Sequence, residues 1–395
     1  MTPRETVLRE YRGRFGRDPV FIGQAPGRVN LMGEHVDYND GFVLPAAIDR
    51  TVAIAFSPSG DEFSTILAAD FKSEAVLDPN GLNARRDRQG LELPDWALYP
   101  AGIQSVLQQE ALASPGMQAV FSADIPRGAG LSSSAAVELA FMKAWQALGG
   151  WERPVPDLAC MAQRAENDYV GVRCGIMDQY ASAYGRKGHA IFLDCRDLSS
   201  HYVTLPSTVV IVIADSGVRH SLADGSGSYN ERREACESAV HLLQEWLPSI
   251  HSLRDVPGAT FEKYAPRLPE NIRQAAGHVV GEIERTRLAV NQLEAGDVRG
   301  FGKRMLESHV SLRDLYHVSR PELDAMVRIA MEIPGCLGAR LTGAGFGGCT
   351  VNLVMHEQAD AFMSALKTGY LKETGIDPNI TLCQAEDGAG TAILE

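Results

Sequence analysis

The sequence has no G-x-x-x-x-G-K-[ST] phosphate loop, no C-x-x-C pair, no apolar run long enough to span a bilayer and no surplus of positive charge. Each absence removes a class. Without the first, a nucleotide has to be held by something other than the usual P-loop. The seven cysteines (160, 174, 195, 236, 336, 349 and 383) are odd in number and scattered, which argues against a disulfide framework and for reduced thiols. Met1 to Thr6 carries no apolar signal core, so the expected setting is the cytoplasm, away from membranes. A formal charge of -13 argues against a broad basic face for nucleic acid. A bound polyphosphate must then be met by a few local cations, backbone N–H groups and metal.

What is present is length and apolar content. The 395 residues, 45% of them hydrophobic, suffice for about two or three domains with cores of their own. The most informative stretch is Pro126-Arg127-Gly128-Ala129-Gly130-Leu131-Ser132-Ser133-Ser134-Ala135-Ala136. A strand is expected to enter it (Gln118 to Ile125) and an apolar helix to leave it (Ala135 to Leu148). Two glycines let the backbone approach an anion, and the helix start turns unpaired N–H groups toward it. Three hydroxyls follow where a phosphate or its metal would sit. Taken alone, the same residues also suit an ordinary strand-to-helix turn with serine caps.

Upstream, a helix is expected over Glu5 to Phe15 and a strand over Val20 to Gln24. A loop follows that sets Arg28, Glu34, His35 and Asp37 among glycine, proline and asparagine. That mixture is poor core material and suits a functional loop, whose carboxylates and imidazole can hydrogen-bond the hydroxyls of a sugar. A structural metal site there would need further Cys or His. Thr51 to Phe56, Ser64 to Ala69 and Glu74 to Leu77 read as strands of one antiparallel sheet. Within a helix expected from Pro156 to Gly171, Glu166 shares a face with Ala162, Tyr169 and Val170. A carboxylate there needs a partner, either an arginine or a metal. Asp178, in Cys174-Gly175-Ile176-Met177-Asp178-Gln179, stands near another helix start and could simply serve its dipole. Strands are expected at Gly188 to Cys195 and Thr208 to Ala214, with a domain boundary between them near residue 205. Asp215 to Ser228 reads as a Gly/Ser-rich loop delivering Tyr229 onto a long helix. Gly343 to Gly348 fits G-x-G-x-x-G but precedes a strand, the wrong context for a dinucleotide. A final strand is expected near Asn379 to Gln384.

The stretches Gly27 to Pro45, Gly130 to Ala136, Cys174 to Gln179, Tyr229-Asn230 and Gly343 to Gly348 together resemble the GHMP small-molecule kinases and, among them, the galactokinase family. The first, G-R-V-N-L-M-G-E-H-V-D-Y-N-D-G-F-V-L-P, carries most of the specificity. The resemblance implies an α+β, two-domain GHMP kinase fold, with residues 1–205 and 206–395 as its domains and the active site in the cleft between them. It implies transfer of the ATP γ-phosphoryl group to the anomeric hydroxyl of D-galactose, with Mg²⁺ as cofactor and no nucleic-acid or membrane partner. By position, Glu34, His35, Asp37, Gly175, Asp178 and Tyr229 would hold the sugar. Gly128, Ala129, Gly130, Leu131, Ser132, Ser133 and Ser134 would cradle the triphosphate, and Ser134 and Glu166 would hold Mg²⁺. Arg28 and Asp178 would be the catalytic pair. Two rival readings are a kinase of the same family acting on galacturonate, arabinose or N-acetylgalactosamine, and a catalytically silent sugar and ATP sensor. Intact Arg28, Asp178 and serine loop disfavour the sensor. One departure from the family pattern is that Asp224 to Ser228 makes the approach to Tyr229 about two residues longer than usual, which reads equally as a tolerated loop insertion or as a loop that sets how Tyr229 meets the sugar, with galactose expected to remain preferred.

Overall fold

The computed structural model describes residues 1–126, 128–219 and 222–394, and for residues 222–228 the backbone alone. Its first sheet has six strands in the order Gly390–Ile393, Phe21–Asn30, Pro45–Pro58, Met117–Ala123, Ser64–Ala68, Ser73–Leu77. The alternation of side chains along a strand divides its faces. Val52, Ile54 and Phe56 enter the main core, where the helices Leu98–Gln109 and Ser133–Gly149 bury Ile103, Leu139 and Phe141. Ala53 and Ala55 turn the other way, under Val7 and Tyr11 of the helix Pro3–Phe15. Trp96 is also buried in the main core, with Nε1 donating to Ser73 Oγ at 3.1 Å.

A second, antiparallel sheet runs Cys336–Thr342, Cys349–Met355, Val209–Asp215, Asn379–Cys383. Val212 and Ala214 face the helices Pro321–Glu332 and Ala359–Thr374 through Met326, Phe362 and Tyr370. Ile211, Ile213, Val351 and Leu353 on the opposite face join the core of the first sheet. The apolar interior is therefore continuous from one sheet to the other. A small third sheet pairs Phe42–Val43, His189–Asp194 and Ser200–Thr204. The helices Leu222–Leu243, Glu270–Glu294 and Val298–Asp314 close the structure around it.

Several expectations are corrected. The strand expected to end at Gln24 continues to Asn30, so Arg28 sits on a strand, not a loop. Pairing with the long neighbouring strand holds it extended, with a register shift between Pro26 and Arg28. The first sheet is not wholly antiparallel, because Ser64–Ala68 and Met117–Ala123 pair in parallel. Val155–Arg164 is an α-helix, but Ala165–Val170 widens into a π-helix. The expected loop over Asp215 to Ser228 is helical from Leu222 onward. Gly225 and Gly227 weaken a helix by about 1 kcal/mol each, an effect that continuation of a 22-residue helix can override. His220 and Ser221 of that stretch lie outside the described residues. The chain ends on one strand more than expected, Gly390–Ile393, which returns to the edge of the first sheet.

The helix Glu270–Glu294 backs the turn that follows the first strand. His278 Nε2 lies 3.1 Å from the Glu34 carbonyl oxygen and its Nδ1 2.8 Å from Ser311 Oγ, both fully buried. Burial holds the His278 ring neutral, its pKa lowered to about 4, with the Glu282 carboxylate acting in the opposite direction. A depressed pKa means stability that is present above about 6.5 and lost as pH falls toward 4, because the unfolded chain takes up the proton first. The His278→Gln variant is therefore expected to lose less stability than the parent between pH 7.5 and pH 4.5. The difference should be roughly 2–3 kcal/mol in urea unfolding at the two pH values; equal losses would contradict a neutral His278.

Candidate active site

The register shift beside Arg28 is what aims its side chain out of the sheet. Its guanidinium, 4% exposed, donates from Nε to Asp178 Oδ1 at 2.7 Å and from Nη1 to the Gly130 carbonyl at 2.6 Å. Asp178, in the first turn of the helix Met177–Tyr184, accepts on Oδ2 from Ser132 Oγ. Ser132 precedes the helix Ser133–Gly149 with a left-handed φ of 56° and makes no side-chain cap. Its hydroxyl serves Asp178, not the helix. Three distant segments, the first strand, the serine loop and the Asp178 helix, thus converge on one carboxylate.

Arg28, Glu34, His35, Asp37, Glu166, Gly175, Asp178 and Tyr229 all line a single cavity of about 260 Å³. His35 has φ 61° and is nearly fully buried. Its Nε2 lies 3.2 Å from the Ala344 carbonyl and its Nδ1 2.9 Å from Tyr38 Oη, which fits a neutral ring carrying its proton on Nε2. Burial, then the neighbouring His278, pushes its pKa down to about 3. Asp37 is pushed up to about 7 by burial and by the charges of Asp178 and Glu34. Its carboxylate lies directly over the Cα of Gly175, where a Cβ would collide with Oδ2. Tyr229 packs at 5.6 Å from the His35 ring and 5.7 Å from that of Tyr38.

The serine loop, whose Arg127 lies outside the described residues, does not line this cavity. It sits beside it, through Ser132 on Asp178 and Ser134 on Glu166. Gly130 and Gly343 meet backbone to backbone: a Cβ on Gly343 would lie 2.8 Å from the Gly130 carbonyl oxygen. Their φ values of 75° and 84° also disfavour any side chain. Gly343 and Gly348 therefore support the serine loop from behind.

Glu166 is placed by the π-helix, whose widened turn gives its carbonyl both Gly171 N at 2.9 Å and Val172 N at 3.2 Å. Burial and the charge of Asp178 raise its pKa to about 7, against hydrogen bonds from Ser134, Cys174 and Gln179. Gln179 Nε2 donates to Glu166 Oε2 at 2.6 Å and to the fully buried Glu138 Oε2 at 3.1 Å. Glu138 Oε1 and Gln179 Oε1 are buried with no hydrogen-bond partner among the described residues. An excess of buried hard oxygen beside Ser134 fits a cation of the Mg²⁺ type. No group of three or more His, Cys, Asp or Glu side chains could hold a metal among the described residues. Mg²⁺ does not require such a cluster, since it is commonly bound by one or two protein groups plus water and phosphate.

Sequence reasoning did not single out four groups here: Glu138, Gln179, Arg219 and Arg340. Arg219 is anchored by both guanidinium ends on Asp215 at 2.6 Å, and its side chain lies over Gly128 of the serine loop. Arg340 is paired with Glu34. Only Gln179 lay inside a recognised motif; the others carry no local pattern that distinguishes them.

Comparison with known proteins decides the family. Residues 9–58 match the galactokinase galactose-binding signature, 99–186 the GHMP kinases N-terminal domain and 289–371 the GHMP kinases C-terminal domain. A galactokinase from Roseiflexus sp. (strain RS-1) is 44% identical over 384 residues, 97% of this chain and 96% of that one. The chain belongs to the galactokinase family. A galactokinase from Chloroflexus aurantiacus is 43% identical over 98% of this chain and 97% of that one. Among solved structures, a Lactococcus lactis galactokinase complexed with galactose superposes with TM-score 0.91 at 31% identity, covering 97% of this chain and 98% of that one. A mevalonate kinase at 19% identity and TM-score 0.62, covering 93% of this chain and 99% of that one, shares the fold alone. The fold is the two-domain GHMP kinase fold, and family membership carries with it the use of ATP.

In a galactokinase-family site, a carboxylate fixed by a guanidinium and a hydroxyl can orient and accept the proton of a sugar hydroxyl. Asp178→Asn keeps the shape and removes the acceptor, so kcat should fall about 10²-fold or more. Arg28→Ala should cost a similar factor by removing a fixed cation. Steady-state kinetics checks both, and near-normal kcat for Asp178→Asn would exclude proton acceptance by that residue.

Proposed function

We propose that the protein is a galactokinase that transfers the γ-phosphoryl group of ATP to the C1 hydroxyl of D-galactose, giving galactose 1-phosphate and ADP. The observation that carries this is the junction of Arg28, Asp178 and Ser132, where the cavity lined by the galactose-signature residues meets the serine loop. Glu34, His35, Asp37, Asp178 and Tyr229 bind the sugar, and Gly175 leaves room for Asp37. Residues Gly128 to Ser134 offer the start of the helix Ser133–Gly149 to the triphosphate. Arg219 adds a local cation beside Gly128, which matters in a chain of net charge -13.

Phosphoryl transfer asks for positioning and neutralisation of spreading oxygen charge more than for covalent help. Asp178 holds the C1 hydroxyl in line and takes its proton, while Arg28 keeps the carboxylate oriented and faces the developing charge. Ser134 and Glu166 would hold Mg²⁺, which when bound neutralises phosphate oxygens.

We place the boundary between the two domains near residue 205, where the chain leaves the strand Ser200–Thr204 for the second sheet. No helix among the described residues is long and apolar enough to cross a membrane. All seven cysteines are free thiols, which supports a reducing, cytoplasmic setting.

Incubation with MgATP and D-galactose is expected to give sugar-dependent ADP release, with phosphate on C1 by product NMR. Phosphate on C6, or no sugar-dependent ADP, would overturn the assignment. Glu166→Gln should raise the Mg²⁺ concentration needed for half-maximal rate while leaving the folded protein intact, because an amide is a poorer ligand for a hard cation. An unchanged Mg²⁺ titration with lowered thermal stability would make Glu166 structural.

A further inference from the structure

The signature turn is braced by its own backbone hydrogen bonds and also from outside. Glu34, 2% exposed, pairs through Oε2 with a guanidinium 306 residues away, that of Arg340, which is 0% exposed. Arg340 comes from the strand Cys336–Thr342 of the second sheet, so the pair joins the two sheets. Its Nε and Nη1 make no hydrogen bond among the described residues, which leaves Glu34 as the one partner there within ion-pair distance. Two residues along the strand, Thr342 Oγ1 accepts from Asn30 N at 3.2 Å and lies 3.3 Å from the Asn30 carbonyl. The Cα of Arg340 is thereby fixed against the strand that leads into the turn. Behind the turn, Glu282 Oε1 accepts from Gly33 N at 3.0 Å and from Ser308 Oγ at 2.7 Å. His278 meets the Glu34 carbonyl from the same side. From outside, the backbone of the turn is held by one helix, and the Glu34 carboxylate by Arg340 together with the Gly343 backbone.

A fully desolvated ion pair with unfilled donors is a poor way to gain stability, since apolar side chains of the same volume often do as well. Its value must lie in what it does to Glu34, whose carboxylate lines the sugar cavity with only Oε2 committed to Arg340. We propose that Arg340 is a specificity-determining residue that holds the Glu34 carboxylate as a charged, oriented acceptor for one hydroxyl of the sugar. Discrimination then follows from chemistry: a sugar lacking that hydroxyl leaves a buried carboxylate and guanidinium without their third partner. This inference rests on the sugar-kinase reading above and adds the residue that sets its selectivity.

The test compares D-galactose with its 2-, 3-, 4- and 6-deoxy analogues, measuring kcat/KM and the calorimetric Kd of each sugar. The enzymes are the wild type, Arg340→Lys and Arg340→Met. Wild type should disfavour at least one analogue by about 100-fold or more. Arg340→Met should bind galactose at least 10-fold more weakly and shrink the discrimination at one hydroxyl to less than about 10-fold, leaving the ratios for the other analogues within about threefold of wild type. Glu34→Gln should shrink discrimination at the same hydroxyl, which identifies the two residues with one contact. Arg340→Lys keeps the charge without the planar fork and should fall between wild type and Arg340→Met. If the methionine variant does not fold, the lysine variant carries the test, with at least a threefold loss at that hydroxyl alone. Equal losses for all five sugars, or no change in any ratio, would overturn the proposal and leave Arg340 a structural residue. A wild type that prefers another sugar would overturn the galactose assignment only, and the deoxy series of that sugar would then serve the same comparison.

Discussion

Four carboxylates line one cavity and a fifth, Glu138, is buried behind Glu166, and the cost of keeping them there shapes the rest of the structure. Glu34, Glu138 and Glu166 are buried, while Asp37 and Asp178 are half-buried. A charge taken out of water must be paired or must give up its charge. Arg28 answers for Asp178 and Arg340 for Glu34, which burial nonetheless raises. Asp37, Glu138 and Glu166 have no ion pair among the described residues, and burial raises all three, Asp37 and Glu166 to about 7. The protein thus holds buried carboxyl groups that its own cations leave unpaired. A polyhydroxylated sugar beside Asp37 and a hard cation beside Glu166 are the ligands such a site would welcome.

Geometry in this site comes from backbone irregularities as much as from side chains. The register shift at Arg28 turns a strand residue into the cavity, and the π-helix at Ala165–Val170 brings Glu166 under the serine loop. The close approach of Gly130 and Gly343 then brings the serine loop against the second sheet. Each of these locally poor conformations is held by packing around it, as expected where strain serves a site.

Much of this is legible in the sequence, for reasons that differ by residue. Arg28, Glu34, His35 and Asp37 stand in a polar, glycine-rich stretch that is poor core material, and all four line the cavity. Asp178 alone reads better as a residue serving a helix dipole; only family resemblance lifts it above that. The helix from Leu222 to Ser228 is hidden, because Gly225, Ser226, Gly227 and Ser228 favour a turn locally while the longer helix decides. The π-helix is hidden too, since its residues fit an ordinary helical period. Arg340 is the least legible. It looks like one more residue in an apolar strand, and its partner is separated from it by most of the chain.

The carboxylate of Asp178 is oriented by Arg28 and lies against the serine loop, and the proposed reaction puts the C1 hydroxyl of the sugar on its other side. A crystal structure of the wild-type protein with D-galactose and a non-hydrolysable ATP analogue tests it most directly. The C1 hydroxyl should lie within about 2.6–3.2 Å of an Asp178 oxygen, facing a γ-phosphate cradled by residues Gly128 to Ser134. A sugar bound outside the cavity, or presenting another hydroxyl to Asp178, would contradict it.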